Sequence, residues 1–417
     1  MKILAIPLAS TLHGEQYYLS VYRVFRECLE NYSDIEVFDK VVTSDKDLPS
    51  DLKGYDLLLI IHLTGGTSGY AKKLVSSSGL PALLVAYGRH NSLGSGLSAR
   101  SWLQYRGYRV WLLYAEEPSG FCSLFNSVYR GVYAGYGLSR LRVLEVNADG
   151  VVSEDAKRFM ESLGGVVEAV GFEELHRIGS QASKEDLVEL YDRVSKYMDL
   201  SGAEPGYLMD VLRVYYVLRK LVVDGGYNAV SIDCFPYVVK YRVTPCLAVA
   251  MLNNDGIPTA CEDDFYSLVG LALSMLLTGR PGWIANPSGV SCEGYLKLAH
   301  CTIAPGLCRN CMLVPHFETG YPYALACSLE DGEYGLLRLD HGYRRLVVYR
   351  VRHRGSGLLE PGLCRTQFHA DIDGIDGYGF IEEAVGNHHV LVPWVDGLET
   401  MLKTLAWWMG WDLEVRG

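Results

Sequence analysis

The chain has 417 residues, too many for one ordinary core and enough for two or three domains. Hydrophobic residues make up 49% and charged residues 21%, which excludes a disordered chain, and no apolar run reaches the roughly 18 residues of a membrane helix. A formal charge of −11, with no basic stripe carrying interleaved aromatics, argues against a nucleic-acid or membrane partner and for a neutral or weakly charged small molecule.

The first residues, Lys2-Ile3-Leu4-Ala5-Ile6, read as a strand, without the basic leader and cleavage site of a signal peptide. A cytoplasmic location follows as an expectation. Up to residue 140, apolar runs at 2–8, 56–62, 81–87 and 110–114 alternate with amphipathic stretches such as 15–29 and 97–105. This is the pattern of a doubly wound parallel sheet with helices on both faces. The glycines of Gly65-Gly66-Thr67-Ser68-Gly69 read as a turn rather than a phosphate cradle, and GxxxxGK[ST] and HExxH are absent.

A second α/β unit is expected over 141–280. Its strands are read at 141–146, 165–172 and 228–233, followed by the segment Thr259-Ala260-Cys261-Glu262. Its helices are read as one long region from 184 to about 223, a short one near 247–252 and another at 265–277. From 281 to 417 short alternating segments separated by Gly, Pro and Asp predict an antiparallel, barrel-like β domain, closed by a helix at 397–409 and a strand at 412–415.

The 11 cysteines are scattered singly, and most, including Cys234, Cys246 and Cys327, are expected to be reduced core residues. Cys308-Arg309-Asn310-Cys311 lacks the second pair that a structural zinc needs, so these read as loop and core thiols.

The chemistry-bearing residues lie in the C-terminal half. Glu262, Asp263 and Asp264 stand between a short apolar strand and a helix, where a carboxylate can simply cap the helix. Three adjacent acids, with Asp233 ending another strand of the same sheet, repel one another unless a cation compensates. His300 lies in a strand-like segment, and His388 and His389 adjoin in another. Neighbouring strand residues face opposite ways, so one of that pair is expected to enter a given site. Carboxylate and imidazole donors together suit manganese, cobalt or iron.

The stretch from Asp233-Cys234-Phe235-Pro236 through Pro245-Cys246-Leu247-Ala248 to Ala260-Cys261-Glu262-Asp263-Asp264 resembles the second domain of the L-fucose isomerase family. Gly386-Asn387-His388-His389-Val390 is similar to that family's C-terminal metal motif, and Ala299-His300-Cys301 and Cys364-Arg365-Thr366-Gln367 are further similar phrases. Over 1–140 the likeness is one of pattern, chiefly around Asn91-Ser92-Leu93.

The resemblance implies two α/β domains and a β-rich third, a homo-oligomer (trimer or hexamer), a divalent metal such as Mn2+, and interconversion of an aldose with its ketose through an enediolate. It implies Glu262 as metal ligand and proton shuttle and His388 as ligand, with His300 matching an additional histidine of the L-arabinose isomerases. Where the family has an aspartate, 24 residues beyond Glu262, this chain has Asn286, which can hold a hard cation but exchanges no proton at neutral pH. Either the match shifts toward Glu293, or the acid–base pair is rearranged, or the chemistry differs. Asp264 is the next candidate catalytic partner, and Asp233, Asn387 and Asn91 are candidate sugar contacts. A non-catalytic sugar-binding sensor and a metal-dependent lyase or epimerase are the alternative readings.

Overall fold

A computed structural model describes residues 1–416. The chain divides into two compact units, Met1–Tyr133 with Lys403–Trp408, and Ala134–Leu402 with Met409–Gly417.

In the first unit the strands are β1 (Ile3–Leu8), β2 (Ile35–Val37), β3 (Leu57–His62), β4 (Ala82–Tyr87) and β5 (Val110–Ala115). They form one parallel sheet in the order β2-β1-β3-β4-β5. β1, β3 and β4 are buried along their whole length, as continuous Leu/Ile/Val runs require when both faces are covered. The helices are α1 (Glu15–Leu29), α2 (Ser68–Ser78), α3 (Ser92–Tyr105) and the greater part of α4 (Phe121–Leu138), whose residues from Ala134 on belong to the second unit. The segment Lys403–Trp408 belongs here too, Trp407 packing on Trp111 with ring centroids 6.2 Å apart. Helix α3 begins five residues before the amphipathic stretch read from sequence, because Ser92 Oγ turns back to the His62 carbonyl and starts the helix at the strand end.

The second unit opens on a parallel sheet of β6 (Arg142–Asn147), β7 (Val166–Gly171), β8 (Ala229–Ile232) and β9 (Thr259–Cys261), in the order β7-β6-β8-β9. Around it run α5 (Glu154–Leu163), α6 (Phe172–Gly179), α7 (Lys184–Val194), α8 (Pro205–Gly225), α9 (Cys234–Tyr241), α10 (Cys246–Asn254) and α11 (Phe265–Thr278). The long helical region expected over 184–223 is thus two helices. Ser183 and Asp186 form a capping box on α7, and Pro205 starts α8 with the Glu204 carboxylate accepting from the Gly206 and Tyr207 amides.

The antiparallel strands follow: β10 (Trp283–Val290), β11 (Leu296–His300), β12 (Cys308–Val314), β13 (Ala324–Leu329), β14 (Glu333–Leu339), β15 (Arg345–Gly357), β16 (Thr366–Ile372) and β17 (His389–Pro393). Six of them close a ring, β14-β17-β10-β11-β16-β15, with β15 returning to β14. This is the C-terminal antiparallel barrel expected from the change in texture. Helices α12 (Gly377–Glu383) and α13 (Leu398–Met409) and strand β18 (Asp412–Arg416), parallel to β15, complete the chain.

The sequence reading passed over β10 and the β12–β13 hairpin. In β10 the run Asn286-Pro287-Ser288-Gly289 hides the strand, and the ladder to β11 slips by one residue between Pro287 and Gly289. Proline and glycine inside a strand are tolerated at such a bulge. In the hairpin Cys311 stands directly opposite Cys327, and the two are joined in a disulfide, as are Cys28 and Cys122. Cys311 and Cys327 are therefore not the free thiols expected, because strand pairing brings together cysteines that look isolated along the chain. Seven cysteines are free.

Helix α11 packs against β14 and β17 at a glycine. A Cβ on Gly270 would lie 2.7 Å from Val390 Cγ2 and 2.9 Å from Leu337 Cδ1. Gly270→Val is expected to destabilise the protein by about 1–3 kcal/mol through overpacking, read as a lower urea midpoint with unchanged slope. An unchanged midpoint would show that the contact yields freely.

Candidate active site

Ligands of open parallel sheets bind beyond the carboxyl ends of the strands, and the acids of the second unit converge there. β6 contributes Glu145, β8 runs into Asp233, and β9 runs into Glu262, Asp263 and Asp264. Glu262 and Asp263 both take left-handed backbone conformations, with φ of 58° and 50°. Such conformations cost non-glycine residues of order 1 kcal/mol each and cluster at functional sites. Their effect is to turn the three carboxylates in different directions.

Asp264 caps α11, accepting from the Ser267 amide at 2.9 Å and the Ser267 hydroxyl at 2.7 Å. Its Oδ2 also accepts from Arg338 Nη1 at 2.8 Å, a salt bridge with both side chains buried, and lies 2.8 Å from His388 Nδ1. Burial opposes its charge, but the His388 hydrogen bond and the Arg338 charge prevail and hold the carboxyl far below the usual range. Asp263 turns the other way and accepts from the Ser231 hydroxyl at 2.8 Å. Burial, then the neighbouring Glu145 charge, pushes its carboxyl up to about 7. Asp233 is raised for the same reasons, burial first, then Glu145 and Glu262.

Glu262, His300 and His388 each offer a donor atom, and these atoms lie within 4.8 Å of one another. With its Nδ1 held by Asp264, His388 aims Nε2 at Glu262 Oε2, 3.4 Å away. That Nε2 is buried and has no aligned hydrogen-bond acceptor. Burial works against the charged ring, yet the carboxylates of Asp264 and Glu262 outweigh it and hold the His388 imidazole up at about 9. Burial likewise opposes charge on Glu262, and His388 and His300 nevertheless keep its carboxyl below its ordinary value. His300, at the end of β11, is fully enclosed and pushed down by burial to about 4, so it is neutral. Its Nε2 meets Cys261 Sγ at 3.0 Å, and its Nδ1 lies 3.5 Å from the Asn286 amide nitrogen.

The remaining candidates are distributed differently. His389 packs its ring on Phe380 at 5.2 Å and turns Nδ1 to the Asn387 carbonyl at 3.2 Å. Asn387 itself is exposed. Asn91 belongs to the first unit, where it precedes α3 with φ 56°. It presses on Gly65, where an added Cβ would come within 2.7 Å of the Asn91 Cβ.

Two important residues escaped the sequence reading. Glu145 and Arg338 are charged residues inside otherwise apolar strands, both buried. That contradiction between charge and setting was the available signal, since such groups are seldom enclosed without a partner.

No family model matches the chain. Among curated proteins it is similar to the sulfoquinovose isomerase of Clostridium sp. (strain MSTE9), with 24% identity over 273 residues, 61% of each chain. The match thus spans less than two thirds of that relative's length. Among the described residues, no helix is long and apolar enough to cross a membrane.

Removing the cation from the Asp264 junction tests the electrostatics directly. Arg338→Met leaves a buried carboxylate with His388 as its remaining counter-charge, so the expected loss is near the lower end of about 3–5 kcal/mol. Equilibrium urea unfolding measures it, and a loss below about 1 kcal/mol would show that Arg338 is dispensable to the junction.

Proposed function

We propose that this chain is a sugar isomerase that interconverts an aldose and its ketose, with a divalent cation, Mn2+ first among candidates, held by Glu262, His300 and His388. The observation that carries the reading is the convergence of these three donors at the carboxyl end of β9. The name of the curated relative supports the same class.

The residues fit such an ion. The donor set is one ionised carboxylate, one neutral imidazole and a second imidazole whose buried Nε2 lacks an aligned acceptor. A carboxylate behind a ligand histidine is the usual outer partner that fixes ring orientation, and Asp264 stands in that relation to His388. Asn286, beside His300, is a further oxygen donor available to a hard cation. When bound, a divalent cation supplies Lewis-acid neutralisation of the charge that develops on adjacent sugar oxygens.

The chain's own residues supply the rest. Glu262 is ionised and fits the role of base that takes the proton from C2 of the open-chain sugar and returns it to C1. Asp264 has both oxygens engaged by Ser267, Arg338 and His388, which suits a positioning residue better than a proton carrier. Asp233 fits a contact to a sugar hydroxyl. Its carboxyl is raised by burial and then by the charges of Glu145 and Glu262.

The decisive experiment incubates the chain with Mn2+ and a panel of free pentoses, hexoses, deoxy-hexoses and sulfoquinovose, with ketose detected directly. Glu262→Gln is expected to lower turnover on the active sugar by about 10²–10⁴ while leaving the thermal midpoint near that of the parent chain. Chelation should abolish turnover, and Mn2+ should restore it. Undiminished turnover after exhaustive chelation would remove the metal from the reading, and an active Glu262→Gln would remove the base.

Asp264 has a separate expectation. Asp264→Asn should weaken Mn2+ binding by about 10–100-fold, measured by calorimetric titration of the apoprotein. Unchanged affinity would mean that His388 needs no orienting carboxylate.

A further inference from the structure

Behind His300 lies a sulfur-rich pocket, lined in part by Cys234, Cys246, Cys261, Cys301 and His316. None of these four cysteines is in a disulfide. Three of the side chains form a tighter group. Cys246 Sγ, Cys301 Sγ and a ring nitrogen of His316 all lie within 4.8 Å of one another, with Cys301 Sγ 3.2 Å from His316 Nε2. Their relative exposures are 5%, 7% and 4%, so the group is shut off from bulk water. The Cys364 thiol is a neighbour of Cys301 but lies outside this tight group.

These residues come from separate parts of the fold. Cys246 opens α10, Cys301 follows β11, His316 follows β12 and Cys364 precedes β16. Thiols are weak hydrogen-bond donors and acceptors, so their mutual contacts do little to hold four segments together. Two thiols and an imidazole at this spacing are, however, the donor set of a soft or borderline cation. His316 is also oriented for it. Its Nδ1 shares a hydrogen bond with Thr319 Oγ1 at 3.2 Å, so when Nδ1 is the donor the lone pair of Nε2 points toward Cys301.

We propose that Cys246, Cys301 and His316 bind a zinc ion, its fourth position left to a further donor. Binding replaces the thiol protons of the cysteine ligands with the metal, and those protons pass to solvent. This site is distinct from the cluster of Glu262, His300 and His388 and does not rest on the isomerase reading. The two are coupled through the chain, because Cys301 immediately follows His300 and a cation on Cys301 fixes the strand end that carries the histidine.

The test uses the full chain loaded with Co2+ in place of zinc. Sulfur-to-cobalt charge-transfer bands in the near ultraviolet are expected, together with one equivalent of zinc per chain in the zinc-loaded protein. Because Cys261 Sγ touches His300 of the Glu262 cluster, Cys261→Ser is the control, and it should keep the bands whatever the chain catalyses. The double variant Cys246→Ser/Cys301→Ser should lose the bands and that equivalent, whereas Glu262→Gln should keep both. The proposal is overturned if the parent chain shows no such bands. It is also overturned if the double variant retains them, or if peptide mass spectrometry finds Cys246 and Cys301 joined in a disulfide. Loss of the bands in Cys261→Ser would likewise overturn the proposal, so the matter is decided even if the double variant does not fold.

Discussion

One carboxylate, that of Asp264, is where the second unit's parallel sheet and its barrel are tied together. It caps α11, the helix that follows β9, and it also holds Arg338 from β14 and His388 from the loop before β17. A buried charge of this kind survives only when paired and hydrogen-bonded, and here a guanidinium, an imidazole and a helix N-terminus share it. The same bonds set the orientation of His388, so the packing of helix on barrel and the aim of a candidate ligand are one arrangement. Close approach at Gly270 permits it, since a larger residue there would push α11 away from Val390 and Leu337.

The acids on the sheet side are balanced by a different means. Glu262 has imidazoles beside it and remains ionised, while Asp263, facing Glu145 and Ser231, is raised to about 7 by burial and by the Glu145 charge. Adjacent carboxylates of one short turn are therefore driven apart in proton affinity by what each faces, and the paired left-handed residues create that divergence. Without the turn, successive side chains from a strand end would project in alternation rather than toward three different partners.

Much of the fold is legible along the chain, for physical reasons that also mark where legibility ends. β1, β3 and β4 stand out because strands buried on both faces must be continuously apolar, and α1 because its buried residues recur at helical spacing. β10 does not stand out, because its bulge accommodates Pro287 and Gly289, which elsewhere would break a strand. The break between α7 and α8 depends on local capping at Ser183 and Glu204, a signal drowned by helical periodicity on either side. For the site, Glu262, His300 and His388 were selected mainly through the family resemblance, and the structure places their donor atoms close together. Arg338 and Glu145 were passed over because a single charge within an apolar run discloses nothing about its partner. The gathering of Cys246, Cys301 and His316 has no trace in spacing, since it joins the start of α10 to residues that follow β11 and β12.

Barrel closure also has a meaning in time. Asp264 and His388 are separated by 124 residues. At synthesis rates of about 5–20 residues per second, roughly 6–25 s pass between the emergence of the acidic turn and that of the histidine. Throughout that interval the nascent chain carries Glu262, Asp263 and Asp264 without the imidazole that completes their surroundings. The parallel strands that bear them can pair, but the cluster cannot close. Arg338 and His300 also precede β17, so the last member of the cluster to be synthesised is His388, which comes with the ring's final strand.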